Sequence, residues 1–212
     1  MQSQSVFEIK AENLGKRYVQ HWIFRGIEGH WQEGQRIAIV GGNGSGKSTF
    51  LQVLSGILPP TEGQLTYHQA GQLIDIERYH RYLSIASPAL DLPESLSLRQ
   101  LLIFHLQLKP LLGDNDVKQV AERMDLAGHL DKDLRLFSSG MRQRVKLGLA
   151  MWAALPLILL DEPTSHLDTK YIGWYQEQLS CLGGDKLVFV ASNDAREYVG
   201  FQQLIQMGDL SR

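Results

Sequence analysis

A run of small and polar residues, Gly41-Gly42-Asn43-Gly44-Ser45-Gly46-Lys47-Ser48-Thr49, carries the clearest chemistry in this chain. It fits the spacing G-x-x-x-x-G-K-[ST]. It lies between an apolar run, Ile37–Val40, and an apolar helical pattern through Phe50, Leu51, Val53 and Leu54. Glycines let the backbone turn tightly, so that successive N–H groups face phosphate oxygens, and the helix start adds the positive end of its dipole. Lys47 would reach the β- and γ-phosphates of a nucleoside triphosphate, and the Ser48 hydroxyl would ligate Mg²⁺. A second signal is Leu157-Ile158-Leu159-Leu160-Asp161-Glu162, two acids emerging from an apolar run. The carboxyl end of a buried strand is where an open α/β sheet places its ligand chemistry. Asp161 would hold Mg²⁺, directly or through water, and Glu162 would accept a proton from an attacking water. Alone, such acids also end ordinary solvated strands. With the phosphate loop they read as a nucleoside triphosphatase.

A third signal, Phe137-Ser138-Ser139-Gly140-Met141-Arg142-Gln143-Arg144, lies about twenty residues before Asp161. A serine and a bare backbone at a helix start make another anion site, although by themselves they also read as a simple cap. The helix is expected over about Gly140 to Ala154, with Met141, Val145, Leu149 and Trp152 on one stripe.

The elements that must position these residues follow from the apolar pattern. Ile37–Val40, Leu83–Ala86, Leu157–Leu160 and Leu187–Ala191 are continuous apolar runs, the pattern of strands buried on both faces of a parallel sheet. Helical patterns between them predict an α/β core. Phe7–Asn13 and Trp22–Glu28 alternate, which predicts an antiparallel flap. Ser97 caps a predicted helix to Leu108, with Leu98, Leu101, Leu102, His105 and Leu108 on one face and Lys109-Pro110 as its stop. Asp114, Asn115 and Asp116 offer caps for a helix over about Val117 to Met124. The block from about 88 to 137 lacks buried-strand patterns and reads as an inserted helical lobe. Tyr67-His68 and Tyr79-His80 are expected on surface strands or turns. Trp174 and Tyr175 are expected as packing residues of a helix over about Asp168–Cys181, with Cys181 a small apolar side chain near its end.

Composition narrows the partners. A formal charge of −2 gives no basic excess of the kind that nucleic-acid binding requires. The single cysteine permits no intrachain disulfide, which suits a reducing compartment. The seven histidines are scattered without zinc-ligand spacing. Met1 to Lys10 lacks a secretory pattern, and the longest uncharged stretch, Leu147–Leu160, is too short to cross a membrane and is interrupted by Pro156. Any membrane role is therefore expected to come through a partner.

The three motifs in this order resemble the ABC ATPase family. Its signature, Leu-Ser-Gly-Gly-Gln, keeps Ser138 and Gly140 here and departs at Phe137, Ser139 and Met141. Tyr18, in Leu14-Gly15-Lys16-Arg17-Tyr18, resembles the aromatic that stacks on adenine. Pro163-Thr164-Ser165-His166-Leu167-Asp168 is similar to the segment whose final aspartate crosses a dimer interface. The resemblance runs from about Phe7 to Met207. It implies one ABC ATPase domain over 1–212: a RecA-like P-loop core with an antiparallel β flap over about 1–87 and 138–212, and a helical subdomain over about 88–137. It further implies a Mg²⁺-dependent ATPase that works as a homodimer or a heterodimer with another ATPase subunit. ATP would lie between Gly41, Asn43, Gly44, Ser45, Gly46, Lys47, Ser48 and Thr49 of one subunit and Ser138, Gly140 and Met141 of the other.

The same resemblance implies the motor of a membrane transporter, partnered by an integral-membrane subunit and held on the cytoplasmic face of the cell membrane, with no nucleic-acid partner. A soluble ABC ATPase acting as an assembly factor or nucleotide-gated switch is the alternative. Two departures bear on that choice. The family usually places a glutamine after its third buried strand, where Ala86 stands in Leu83-Ser84-Ile85-Ala86-Ser87-Pro88. It usually places a histidine after the last buried strand, where Asn193 stands, either gripping the γ-phosphate or capping a helix over Asp194–Val199. Catalytic roles therefore fall to Glu162, Lys47 and Asn193, with ATP binding expected to outlast fast hydrolysis. Leu90, Leu92, Leu96 and Leu98, with Ile103 and Phe104, are expected either to dock a membrane subunit or to pack the helical lobe.

Overall fold

The four continuous apolar runs become four of the strands of a five-stranded sheet in the computed structural model, which describes residues 6–113 and 116–208. Asp114 and Asn115, two of the expected caps, lie outside the described residues. In chain order the elements are β1 (Phe7–Tyr18), β2 (His21–Gln32), β3 (Arg36–Val40), α1 (Lys47–Leu54), β4 (Glu62–Gln69), β5 (Gln72–Leu73), α2 (Ile76–Tyr79) and β6 (Leu83–Ala86). They continue with α3 (Leu98–Leu108), α4 (Val117–Arg123), α5 (Ser139–Met151), β7 (Leu157–Asp161), α6 (Thr169–Ser180), β8 (Leu187–Ser192) and β9 (Gln203–Gln206). The five-stranded sheet runs β6-β7-β8-β3-β9 and the flap sheet β2-β1-β4-β5. β8 pairs in parallel with β7 and β3, and β3 pairs in parallel with β9. The flap is antiparallel, as its alternation predicts. β9 carries no apolar run because it is a largely exposed edge strand. That is why no sequence pattern marked it.

By internal compactness the described residues divide into two units. The first lies within Met1–Ile85, Leu155–Glu162 and Gly183–Arg212, and the second within Ala86–Ala154 and Pro163–Leu182. The second unit thus takes in 138–154 and 163–182, stretches that the sequence pattern groups with the core.

In the first unit, aromatic packing fastens the flap to the sheet. Phe24 of β2 meets Phe50 of α1 edge-on at 5.3 Å between ring centroids, and Trp31 of β2 meets Phe189 of β8 at 5.5 Å. These rings are all buried, and such pairs add about 0.5–1.5 kcal/mol each beyond the area they remove from water. Tyr67 and Tyr79 correct the surface expectation. Both are buried, their rings stack on each other, and Tyr79 Oη donates to the Leu54 carbonyl at 2.8 Å. A tyrosine can be inside when its hydroxyl finds a partner, and here the open carbonyls at the end of α1 supply one. Burial pushes both phenols above their ordinary pKa.

In the second unit, Ser97 and Gln100 form a reciprocal capping box at the start of α3. Leu98, Leu101 and Leu102 are buried as expected, whereas Leu108 is exposed. Asp116 caps α4 by accepting from the N–H groups of Lys118 and Gln119. α6 spans the expected helix with Tyr175 buried, while Trp174 donates to the Arg123 carbonyl at 3.0 Å. Cys181, the residue that ends α6, is exposed rather than packed.

Tyr79→Phe should lower the unfolding free energy by about 1 kcal/mol, because the Leu54 carbonyl loses its buried donor. Urea denaturation at fixed m-value measures it, and an unchanged midpoint would refute the hydrogen bond's contribution.

Candidate functional site

The carboxyl ends of β3, β7 and β8 bring the phosphate-loop residues, the two acids and Asn193 into one region of the first unit. β3 stops at Val40, and the chain turns through Gly41–Gly46 into α1. Two glycines are required by close approach. A Cβ on Gly41 would come within 2.6 Å of Ser45 Oγ. One on Gly46, at φ +96°, would collide with the Ile23 side chain of the flap. Gly46 stands in the N-cap position of α1, with no side-chain cap, so the N–H groups of the first turn stay open for a ligand. Lys47 folds back over the loop and donates to the Gly41 and Gly42 carbonyls at 2.9 and 3.1 Å. It is 4% exposed, and among the described residues no carboxylate lies within ion-pair distance of it. A buried ammonium with carbonyl acceptors alone is expensive unless an anion joins it. The Ser45 hydroxyl is likewise buried without a protein partner. Both groups fit a phosphate. The loop walls a cavity of about 210 Å³ together with Ile23 and Glu162.

Ser48, which lines this cavity, donates from Oγ to Asp161 Oδ1 at 2.9 Å, joining residues 113 apart in the chain. Oxygens adjacent on an octahedral Mg²⁺ at about 2.0–2.1 Å stand roughly 3 Å apart, so this pair has the spacing and chemistry for that ion. Among the described residues no group of three or more His, Cys, Asp or Glu could hold a metal. Mg²⁺ would therefore take its remaining oxygens from phosphate and water, its usual habit.

Glu162 follows Asp161 in the left-handed region, at φ +44°. For a residue with a side chain this costs about 1–2 kcal/mol. Its N–H donates to the Ala191 carbonyl at 2.9 Å, which fixes the turn and leaves the side chain at the cavity wall. Strain of this kind persists where surrounding contacts over-determine the backbone. Asn193 donates from Nδ2 to Asn43 Oδ1 at 3.1 Å, so it touches the phosphate loop. The capping alternative is corrected: Asp194 makes the cap by accepting from Arg196 N–H, and the expected helix over Asp194–Val199 is a 3₁₀ turn, Ala195–Tyr198. Tyr18 ends β1, 45% exposed, with the Lys16 ammonium 5.5 Å from its ring. It does not line the phosphate-loop cavity.

Ser138, Gly140, Met141 and Asp168 belong to the second unit. Ser138 caps α5 by accepting from Met141 N–H at 3.2 Å. Gly140 lies close to the neighbouring backbone, and a Cβ there would come within 3.0 Å of the His166 carbonyl. Asp168 caps α6 through Tyr171 N–H at 3.1 Å. Ala86 is buried, and the Ser87 hydroxyl accepts locally from Ala89 N–H at 3.2 Å. Leu98 is fully buried, which assigns it to internal packing, while Leu90, Ile103 and Phe104 are exposed.

Two further residues had no role assigned from sequence, Ile23 of the flap and Gln143 within the third motif. Ile23 reaches the loop only because the flap folds over it. Gln143 is buried and donates to the Pro163 carbonyl at 2.8 Å, tying α5 to the segment after the acids. A larger cavity, about 610 Å³, is lined by Val53, Leu58, Leu65, Tyr67, Ile74 and others. Its one charged lining residue is Asp75, so it is not a phosphate site.

Comparison with known proteins accords with this geometry. Residues 24–165 match the family model described as ABC transporter, and the chain belongs to that family. It is 26% identical to the linearmycin resistance ATP-binding protein of Bacillus subtilis, over 91% of this chain and 63% of the relative. It is 34% identical to a maltose/maltodextrin import ATP-binding protein of Mannheimia succiniciproducens, over 76% of this chain and 44% of the relative. The chain thus matches less than two thirds of these relatives' lengths. Its fold is that of a dimeric ATP-binding cassette solved with ADP and Pi (TM-score 0.79, 23% identity, 96% of this chain and 97% of that one). Among the described residues no helix is long and apolar enough to cross a membrane.

Gly46→Ala should destabilise the chain by about 1–2 kcal/mol from its backbone conformation alone, and further through the clash with Ile23. In an Ile23→Ala background the added clash cost should vanish while the backbone cost remains. Equal costs in both backgrounds, measured by denaturant unfolding, would remove Ile23 from the account.

Proposed function

We propose that the chain is the ATP-binding and hydrolysing motor subunit of an ABC membrane transporter. The observation that carries this reading is the buried Lys47 ammonium beside the Ser48–Asp161 oxygen pair, with Glu162 on the same cavity wall. The substrate is ATP. Open N–H groups at the start of α1 and the Lys47 ammonium would cradle its β- and γ-phosphates, positioning them and offsetting charge. Mg²⁺, held by Ser48 and Asp161, would neutralise charge that develops on the transferred phosphoryl group. Glu162 would accept the proton of the attacking water, its carboxylate aimed by the strained turn at φ +44°. Asn193, bonded to Asn43, would turn an amide N–H to the γ-phosphate. It would donate a hydrogen bond but could not become a cation, as an imidazole can. Tyr18 would stack on the adenine.

The reading extends to a dimer. Ser138, Gly140 and Met141 at the start of α5 would contact the phosphates bound by a second copy or a related ATPase subunit, and Asp168 would cross between subunits. An integral-membrane subunit would receive the resulting motion, placing the chain at the cytoplasmic face of the membrane. The exposed side chains of Leu90, Ile103 and Phe104 support a docking surface. A second reading, a nucleotide-gated switch with slow turnover, is favoured by one observation: Ala86 offers no polar side chain where the family usually has glutamine.

Mg²⁺-dependent ATP turnover of the purified chain tests the reading. Glu162→Gln should lower kcat by about 10²–10⁴-fold while retaining ATP, as expected for loss of a general base. Lys47→Ala should abolish ATP binding itself. Glu162→Gln with full turnover would overturn the assignment. Wild-type turnover should be slow without a partner, by a factor on the order of a hundred for each missing polar contact to the developing charge. Rapid turnover of the isolated dimer would sink that expectation.

A further inference from the structure

Two cationic side chains of α5 leave the helix to hold a segment that has no regular structure of its own. Lys146 Nζ donates to the Ser87 carbonyl at 3.1 Å. Arg142 pairs through Nη1 with Glu94 Oε1 at 2.8 Å and donates from Nη2 to the Arg135 carbonyl at 3.1 Å. Residues 87–96 form neither helix nor strand, and Ser87 directly follows Ala86, the last residue of β6. Other ties of the segment include Leu90 N–H to the Ser87 carbonyl at 3.2 Å, Ala89 N–H to the Ser87 hydroxyl at 3.2 Å and Arg135 N–H to the Glu94 carbonyl at 3.2 Å.

The Lys146 contact is costly for its size. Its ammonium is partly buried, burial pulls its pKa below the ordinary lysine value, and Asp91 acts on it only at longer range. Among the described residues no carboxylate lies within ion-pair distance of Nζ. A partly buried ammonium held by one carbonyl contributes position more than stability. What it positions is the first residue after β6, beside Ala86, whose side chain can form no hydrogen bond. The far ends of these contacts lie on the same helix that Ser138 caps.

We propose that Lys146 and Arg142 are positioning residues that fasten the Ser87–Glu94 segment to α5, so that this segment and the Ser138–Gly140 helix start move as one piece. The fastening transmits displacement of the chain after β6 to the second anion site, in place of a polar side chain at position 86. The consequence for catalysis rests on the ATPase reading above; the fastening itself does not.

Lys146→Met, Lys146→Arg and Glu94→Gln in the full chain test it, with turnover, ATP affinity and amide hydrogen exchange read on the same samples. Lys146→Met should raise exchange in residues 87–94 about tenfold and leave residues 43–54 unchanged, as a local opening does. It should lower kcat about tenfold with the ATP Kd within about twofold of wild type, a loss confined to the transition state. Lys146→Arg should restore at least about half of kcat, and the Glu94→Gln and Lys146→Met effects should be non-additive, since both act on one segment. Unchanged exchange in 87–94, or an equal rise throughout the chain, overturns the fastening whatever the turnover. Raised local exchange with unaltered kcat overturns its catalytic role. A wild-type chain that hydrolyses no ATP refutes the ATPase reading alone, and the exchange result then still decides the fastening.

Discussion

The hydrogen bond between Ser48 and Asp161 joins the two halves of the candidate site, and the rest of the first unit can be read as the means of making it. One residue opens α1 and the other closes β7, 113 positions later. They meet because β3 and β7 both lie beside β8 in parallel register, so their carboxyl ends emerge on the same edge. Parallel pairing needs a crossover connection for each strand, and such a sheet is stable only when covered on both faces. The fully buried β7 and β8 meet that condition. The aromatic contacts of Phe24 and Trp31 then hold the flap down, which brings Ile23 against the bare Gly46 backbone.

Around that pair the molecule keeps several groups in states that a protein alone does not favour. The Lys47 ammonium is buried against carbonyls, the Ser45 hydroxyl has no protein partner, and Glu162 occupies a left-handed conformation. Each costs stability in isolation. An anionic, oxygen-rich ligand would satisfy the first two, whereas the Glu162 turn is held by its own backbone contacts. The proposed magnesium-bound triphosphate would fit the first two and would lie beside the third.

The second unit is organised around α5. Gln143 donates to the Pro163 carbonyl, Arg144 to the Met124 and Asp125 carbonyls, and Lys146 to the Ser87 carbonyl. The Arg144 guanidinium also lies over the Tyr171 ring at 3.8 Å. Asp125 is held below the ordinary carboxylate range by its hydrogen bonds to Lys170 and Tyr171. Side-chain donors meeting backbone carbonyls hold a helix start in place, which suits the role proposed for Ser138 and Gly140.

The sequence by itself determined the phosphate loop, the two acids and the buried strands that carry them. Their signals are local: glycine spacing, continuous apolar runs and cap residues each act within a few positions. Ser97, Asp116, Ser138 and Asp168 all cap the helices that their positions announce. Tertiary structure alone decided what depends on distant partners. Tyr67 and Tyr79 are inside because α1 ends where Tyr79 can reach the Leu54 carbonyl. Asn193 turns toward Asn43, 150 residues away, while Asp194 takes the cap. β9 has no apolar run because it is largely exposed, and Lys146 has no motif because its partner is a carbonyl, which every residue carries. A side chain's neighbours along the chain fix its backbone preference. Only the packed sheet and helices fix what it touches.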